Sequence, residues 1–226
     1  MKNPILAPLF VALFAGFTFA ADEKKAAAPA TSPPPSNPSV EMKTSKGLIT
    51  IELNREKAPV TVENFLKYVE KKHYDGTVFH RVINDFMIQG GGFAKDGEKL
   101  VEKETAPPIK NEAANGLKNE TGTIAMARTA DPNSATAQFY INVKNNDNLN
   151  QAAGSVGYAV FGKVTKGMDV ISQMKAVKTG LRPLTSRVGK NQFQAGPHPN
   201  VPLEDVIIES VRVIESAAAV PTKKSE

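Results

Sequence analysis

In the run Phe79-His80-Arg81-Val82-Ile83-Asn84-Asp85-Phe86-Met87-Ile88-Gln89-Gly90-Gly91-Gly92-Phe93, a guanidinium, a thioether and a carboxamide are embedded among apolar side chains. Arginine is rarely buried without a partner, so Arg81 between Phe79 and Val82 either meets a carboxylate or faces a cleft. Period-two alternation places Phe79, Arg81 and Ile83 on one side of a strand. Beyond an Asn84-Asp85 turn, Met87 and Gln89 share a side of the next. The set contains no nucleophile. Its chemistry is that of a fixed positive charge and a polar amide beside an aromatic ring, which act by electrostatics and shape.

The elements that position these groups are legible from periodicity. Ile49, Ile51 and Leu53 alternate with Thr50 and Glu52, a half-buried strand that a Ser45-Lys46-Gly47 turn joins to a shorter strand containing Met42. Val62, Phe65, Leu66 and Val69 fall at i, i+3, i+4 and i+7, which predicts a helix over 61–71 with Thr61 as N-cap and Lys71-Lys72 at its C-terminal end. Strands are expected over 123–129 and 137–143, with Gln138 and Tyr140 on one face and Phe139, Ile141 and Val143 on the other. Residues 206–213 are apolar and β-branched, as a closing strand should be. Residues 94–119 are charged, carry Pro107-Pro108, and read as a long surface loop. The segment 180–202, rich in Pro and Gly with Arg182, Arg187 and Lys190, reads as a flexible excursion, with a contact surface as the alternative.

Composition narrows the function classes. A chain of 226 residues, 41% apolar and 23% charged, suggests one domain with appendages. The net charge of +5, without a basic stripe or interleaved aromatics, points away from nucleic acid. The absence of cysteine excludes disulfides, thiolate nucleophiles, cysteine metal sites and a lipidated cysteine anchor. The three histidines, His73, His80 and His198, show no metal-ligand spacing, and His80 reads as a satisfied core or rim histidine. Gly90-Gly91-Gly92 lacks the Lys-Ser/Thr of a phosphate loop and reads instead as a tight backbone path.

Lys2 precedes an uncharged apolar span that ends in Thr18-Phe19-Ala20, small residues around a cleavage point, followed by Asp22-Glu23-Lys24-Lys25. Residues 1–20 therefore read as a secretory signal peptide rather than an anchor, with export to the periplasm and no stable membrane insertion after cleavage. Residues 21–39 form a Pro/Ala-rich linker, 40–216 the folded domain and 217–226 a disordered tail.

FHRVINDFMIQGG resembles the signature of the cyclophilins, the peptidyl-prolyl cis-trans isomerases. Met126-Ala127-Arg128-Thr129-Ala130, Asp131-Pro132-Asn133-Ser134 and Gln138-Phe139-Tyr140-Ile141 resemble their second signature, Ala58-Pro59-Val60-Thr61-Val62-Glu63-Asn64-Phe65 their first helix, residues 158–164 their next barrel strand, and Met168 through Val177 their second end-plugging helix. The resemblance implies a mainly β fold, a closed antiparallel eight-stranded barrel with two helices plugging its ends. It implies an enzyme that acts as a monomer on proline-containing polypeptides, with no cofactor and no metal. Arg81 corresponds to the catalytic arginine, and Phe86, Met87, Tyr140 and Leu149 to the pocket for the proline ring. Gln89 and Gln138 correspond to groups on the substrate backbone, while Ala127, Arg128 and Thr129 lie where the family offers main-chain contacts. Where many eukaryotic cyclophilins have Trp and His, this chain has Asn148 and Tyr158, as in the exported bacterial type, and Tyr158 completes the site. From a different class comes the alternative of a holdase or adaptor that binds proline-containing chains in the same groove with little turnover.

Overall fold

The computed structural model describes residues 37–189 and 191–214. The signal-peptide reading, nearly all of the linker and the tail lie outside the described residues. In chain order the elements are β1 (Ser39–Thr44), β2 (Gly47–Leu53), α1 (Pro59–Glu70), β3 (Thr77–Ile83), β4 (Met87–Asp96), β5 (Lys99–Glu102), β6 (Thr123–Met126), β7 (Phe139–Asn142), β8 (Val160–Lys166), α2 (Met168–Lys175), β9 (Thr179–Val188), β10 (Asn191–Pro202) and β11 (Ile208–Ile214).

The barrel-like wall runs β3-β4-β7-β6-β8-β2-β1-β11, every neighbouring pair antiparallel. Among the described residues no ladder closes it. At the seam a single isolated bridge, Val78 to Ile207, is flanked by the Gly76 N–H on the Ile208 carbonyl (2.8 Å) and the Phe79 N–H on the Val206 carbonyl (2.9 Å). The interior is lined as alternation requires, with Ile49, Ile51 and Leu53 of β2 fully buried. From α1, Val62, Phe65 and Val69 enter the same core, as do Val170, Ile171 and Met174 of α2. Phe65 packs against Tyr74, Phe139 and Phe161 at ring separations of 4.9, 5.8 and 5.3 Å. Burying one such ring contributes about 1.5–3 kcal/mol.

Three expectations are corrected. Helix α1 starts at Pro59, not at Thr61, and its N-cap Ala58 offers no side-chain acceptor. Thr61 is buried in the first turn, where the Glu112 carboxylate accepts the N–H groups of Val60 (3.2 Å) and Thr61 (2.8 Å) and the Thr61 hydroxyl (2.7 Å). The expected loop over 94–119 begins as sheet, since β4 continues to Asp96 and turns at Gly97 into β5. The 180–202 excursion is also sheet: β9 and β10 form a hairpin, and β9 pairs in parallel with β5. A separate apolar cluster of Val78, Phe93, Leu100, Leu184 and Val201 holds these strands together.

Candidate active site

The site starts from a flaw in the β3–β4 ladder. Phe79 pairs with Gly90, yet Arg81 pairs with Gln89, so His80 is an extra residue in the register. The bulge corrects the simple alternation: Phe79 stays in the barrel core with Val82, whereas Arg81 and Ile83 turn to the other side. His80 is buried against Phe93 with ring centroids 4.6 Å apart. It is not fully satisfied, because its Nδ1 has no hydrogen-bond partner among the described residues. Burial pushes its pKa down to about 3.

Arg81 reaches a cavity of about 130 Å³. The β3–β4 connection contributes Phe86, β4 contributes Met87 and Gln89, the segment after β6 Ala127 and Arg128, β7 Tyr140, the 3-10 turn Asp147–Leu149 Leu149, and the approach to β8 Tyr158. Met87, Phe86, Tyr140, Leu149 and Tyr158 pack as one apolar cluster beneath the guanidinium. Arg81 is half-buried and makes no salt bridge with an acid among the described residues. Burial lowers its pKa, which leaves an arginine charged throughout the physiological range.

The cavity walls are pinned by polar contacts behind them. The Tyr140 hydroxyl donates to Asn119 Oδ1 at 2.7 Å, and burial pushes its pKa up. Asn119 also accepts from Asn142 Nδ2 (3.2 Å) and donates to the Leu149 carbonyl (3.2 Å), tying two walls to one buried amide. The Arg128 guanidinium lies 4.2 Å from the centre of the Tyr158 ring and donates twice to the Gly157 carbonyl, at 3.2 and 3.0 Å.

An adjoining cavity of about 180 Å³ shares Gln89, Ala127 and Arg128 and adds Glu102, Thr129, Ser134, Thr136 and Gln138. The structure thus gathers Arg81, Phe86, Met87, Gln89, Ala127, Arg128, Tyr140, Leu149 and Tyr158 around one cavity and places Thr129 and Gln138 on its neighbour. Asn148 is exposed on the 3-10 turn and lines neither cavity. Two supporting residues escaped the sequence reading. Asn119 and Glu102 both fall in the segment read as loop, and the only local signal for Glu102 is its place two residues after the buried Leu100. Among the described residues, no group of three or more His, Asp or Glu side chains is placed to hold a metal ion.

The model of the family described as cyclophilin type peptidyl-prolyl cis-trans isomerase/CLD matches residues 39–213. The chain belongs to this family of isomerases. Among its cyclophilin relatives, a peptidyl-prolyl cis-trans isomerase of Streptomyces antibioticus is 54% identical over 178 residues, covering 77% of this chain and 98% of the relative. Peptidyl-prolyl cis-trans isomerase B of Escherichia coli is 52% identical over 179 residues, covering 78% and 99%. The crystal structure of a Cryptosporidium parvum cyclophilin type peptidyl-prolyl cis-trans isomerase shares the fold with a TM-score of 0.60 at 22% identity, over 80% of this chain and 99% of that one. Peptidyl-prolyl cis-trans isomerisation turns a peptide bond and breaks none, so an isomerase of this family needs no nucleophile.

Proposed function

We propose that Arg81 accelerates rotation about Xaa-Pro bonds by stabilising the twisted amide, and that the enzyme assists the folding of exported proteins in the periplasm. Rotation faces a barrier of about 18–20 kcal/mol and takes tens to hundreds of seconds unaided. In the twisted state the amide loses resonance, the proline nitrogen gains a lone pair, and the carbonyl oxygen swings about the C–N axis. A planar, permanently charged donor favours that state over either planar ground state. Lowering the barrier by about 7 kcal/mol gives about five decades of rate. Phe86, Met87, Tyr140, Leu149 and Tyr158 shape the apolar notch for the proline ring. Burying about 100 Å² there contributes roughly 2.5 kcal/mol, which keeps binding weak and turnover fast. A Cryptosporidium parvum relative of the same fold was crystallised in the presence of the dipeptide Ala-Pro, which supports a proline-containing chain as ligand here.

The observation that carries this reading is a half-buried guanidinium without an acid partner among the described residues, at the mouth of an apolar cavity. In a protease-coupled assay on Xaa-Pro peptides, Arg81→Ala is expected to lower kcat/KM by about two to three decades, as for the loss of one transition-state donor. Wild-type turnover in that variant refutes the role of Arg81. Fractionation of the producing cell, with the N-terminal residue of the exported chain determined, tests cleavage after residue 20 and periplasmic residence. Sedimentation of the purified chain tests the monomer.

A further inference from the structure

From Gln89 in the wall of the proline cavity, three hydrogen bonds run outward in line. Gln89 Nε2 donates to Gln138 Oε1 at 2.9 Å, Gln138 Nε2 donates to Glu102 Oε1 at 3.3 Å, and the Arg187 N–H donates to Glu102 Oε2 at 2.8 Å. The end of the line decides the rest. An ionised carboxylate only accepts, so Gln138 must turn its NH₂ toward Glu102 and its carbonyl toward Gln89. Gln89 must then turn its own NH₂ toward Gln138, which leaves its carbonyl oxygen free of that contact. Two amides that could each have flipped are set in series by one acid.

The position of this line is built into the backbone. A Cβ on Gly92 would stand 2.5 Å from Gln138 Cγ, so the Gln138 side chain occupies the space that only glycine leaves open. Glu102 pairs with Phe93 in the β4–β5 ladder, and the Lys103 N–H donates to the Gly92 carbonyl at 2.9 Å. From the far side the hairpin of β9 and β10 grips the acid. Besides its backbone N–H, Arg187 offers Nε to the Glu102 carbonyl (3.3 Å) and Nη1 to Glu104 (3.0 Å). The hairpin is itself anchored by the pairs Leu100–Leu184 and Val101–Thr185 and by the buried Leu184 and Val201.

We infer that Glu102 is a positioning residue of the isomerase: gripped by the hairpin, it fixes the orientation of Gln138 and through it Gln89, and so sets how well the groove holds the substrate backbone. This rests on Gln89 and Gln138 contacting that backbone. The hairpin thereby gains a route to the substrate although it lines no part of the proline cavity.

The test compares full-length wild type, Glu102→Gln and Glu102→Ala in steady-state isomerisation of a proline peptide, with urea unfolding and the side-chain amide NMR signals of ¹⁵N-labelled glutamines. Glu102→Ala is expected to raise KM about five-fold, the equivalent of one ordinary hydrogen bond, with kcat within about two-fold of wild type. Glu102→Gln should raise KM less, because its oxygen still accepts from Gln138 while its NH₂ meets the Arg187 N–H unfavourably. The Gln138 and Gln89 amide signals should both move in each variant. Unchanged KM together with unmoved Gln89 signals overturns the proposal, and so does a loss of stability with KM unchanged. Arg81→Ala in the same series separates the two ideas: full turnover there defeats the Arg81 mechanism, while the glutamine signals still decide the role of Glu102.

Discussion

Acid should unfold this protein in part through His80. The residue is 5% exposed, its ring packs on Phe93, and Nδ1 has no hydrogen-bond partner among the described residues. Burial is the main reason its pKa falls from 6.5 to about 3; a hydrogen bond to the Val78 backbone opposes the shift, and the charges of Arg81 and His198 add to it. The folded state therefore binds a proton less readily than the unfolded chain, so the contribution of neutral His80 is complete above the unfolded pKa and is lost as pH drops toward the folded one. With those two values, acidification from about pH 6 to about pH 4.5 removes roughly 2 kcal/mol, at 1.36 kcal/mol per pKa unit. That is a large share of the roughly 5–15 kcal/mol of a typical domain. Urea unfolding of wild type and His80→Leu across this interval isolates the effect, since every other ionisable group is common to both proteins. The variant should show a pH dependence flatter by about 2 kcal/mol. Its stability at neutral pH should lie within about 1 kcal/mol of wild type, because the lost ring packing is offset by removal of an unpaired buried nitrogen. Parallel curves for the two proteins would refute the reasoning.

Glu112→Ala removes the acceptor for two helix N–H groups and the Thr61 hydroxyl, and should cost about 2 kcal/mol in urea unfolding with the denaturant slope unchanged; Glu112→Gln should recover part of it, and an unchanged midpoint in the alanine variant would rule out the cap. Tyr140→Phe deletes the donor to Asn119 while the ring stays in the cavity wall, so stability should fall by about 1 kcal/mol while kcat/KM stays within about two-fold. A collapse of activity in that variant would mean that the hydroxyl serves the substrate rather than Asn119. Gly91→Ala meets two obstacles, a φ of +83° and a Cβ placed 2.8 Å from Phe139 and 2.9 Å from Tyr74. It should destabilise by roughly 3 kcal/mol, with thermal unfolding as the readout, and wild-type stability would contradict the packing described.

What could be read from the sequence was what repeats locally. Ile49, Ile51 and Leu53 announce an inner face by spacing alone, and Val62, Phe65 and Val69 do the same for α1; both faces are buried in one core. The cavity residues were legible because they lie on or beside these strands in runs that resemble a known family. The bulge at His80 was not, because register belongs to a pair of strands, and alternation within β3 alone puts Phe79 and Arg81 on the same side. The β9–β10 hairpin escaped for a related reason. Its apolar packing is concentrated at Leu184 and Val201, whose partners Val78, Phe93 and Leu100 come from distant positions, while most of β10 is exposed and the glycines and prolines of the hairpin read as loop. Glu102 and Glu112 make the point most sharply. Each is an acid in a polar stretch with no periodic signature, yet one completes a helix start far away in the chain and the other terminates a line of amides leading to the Arg81 cavity. Acceptors of this kind are chosen by donors on other elements, so they can be found only by asking, in three dimensions, where each N–H goes.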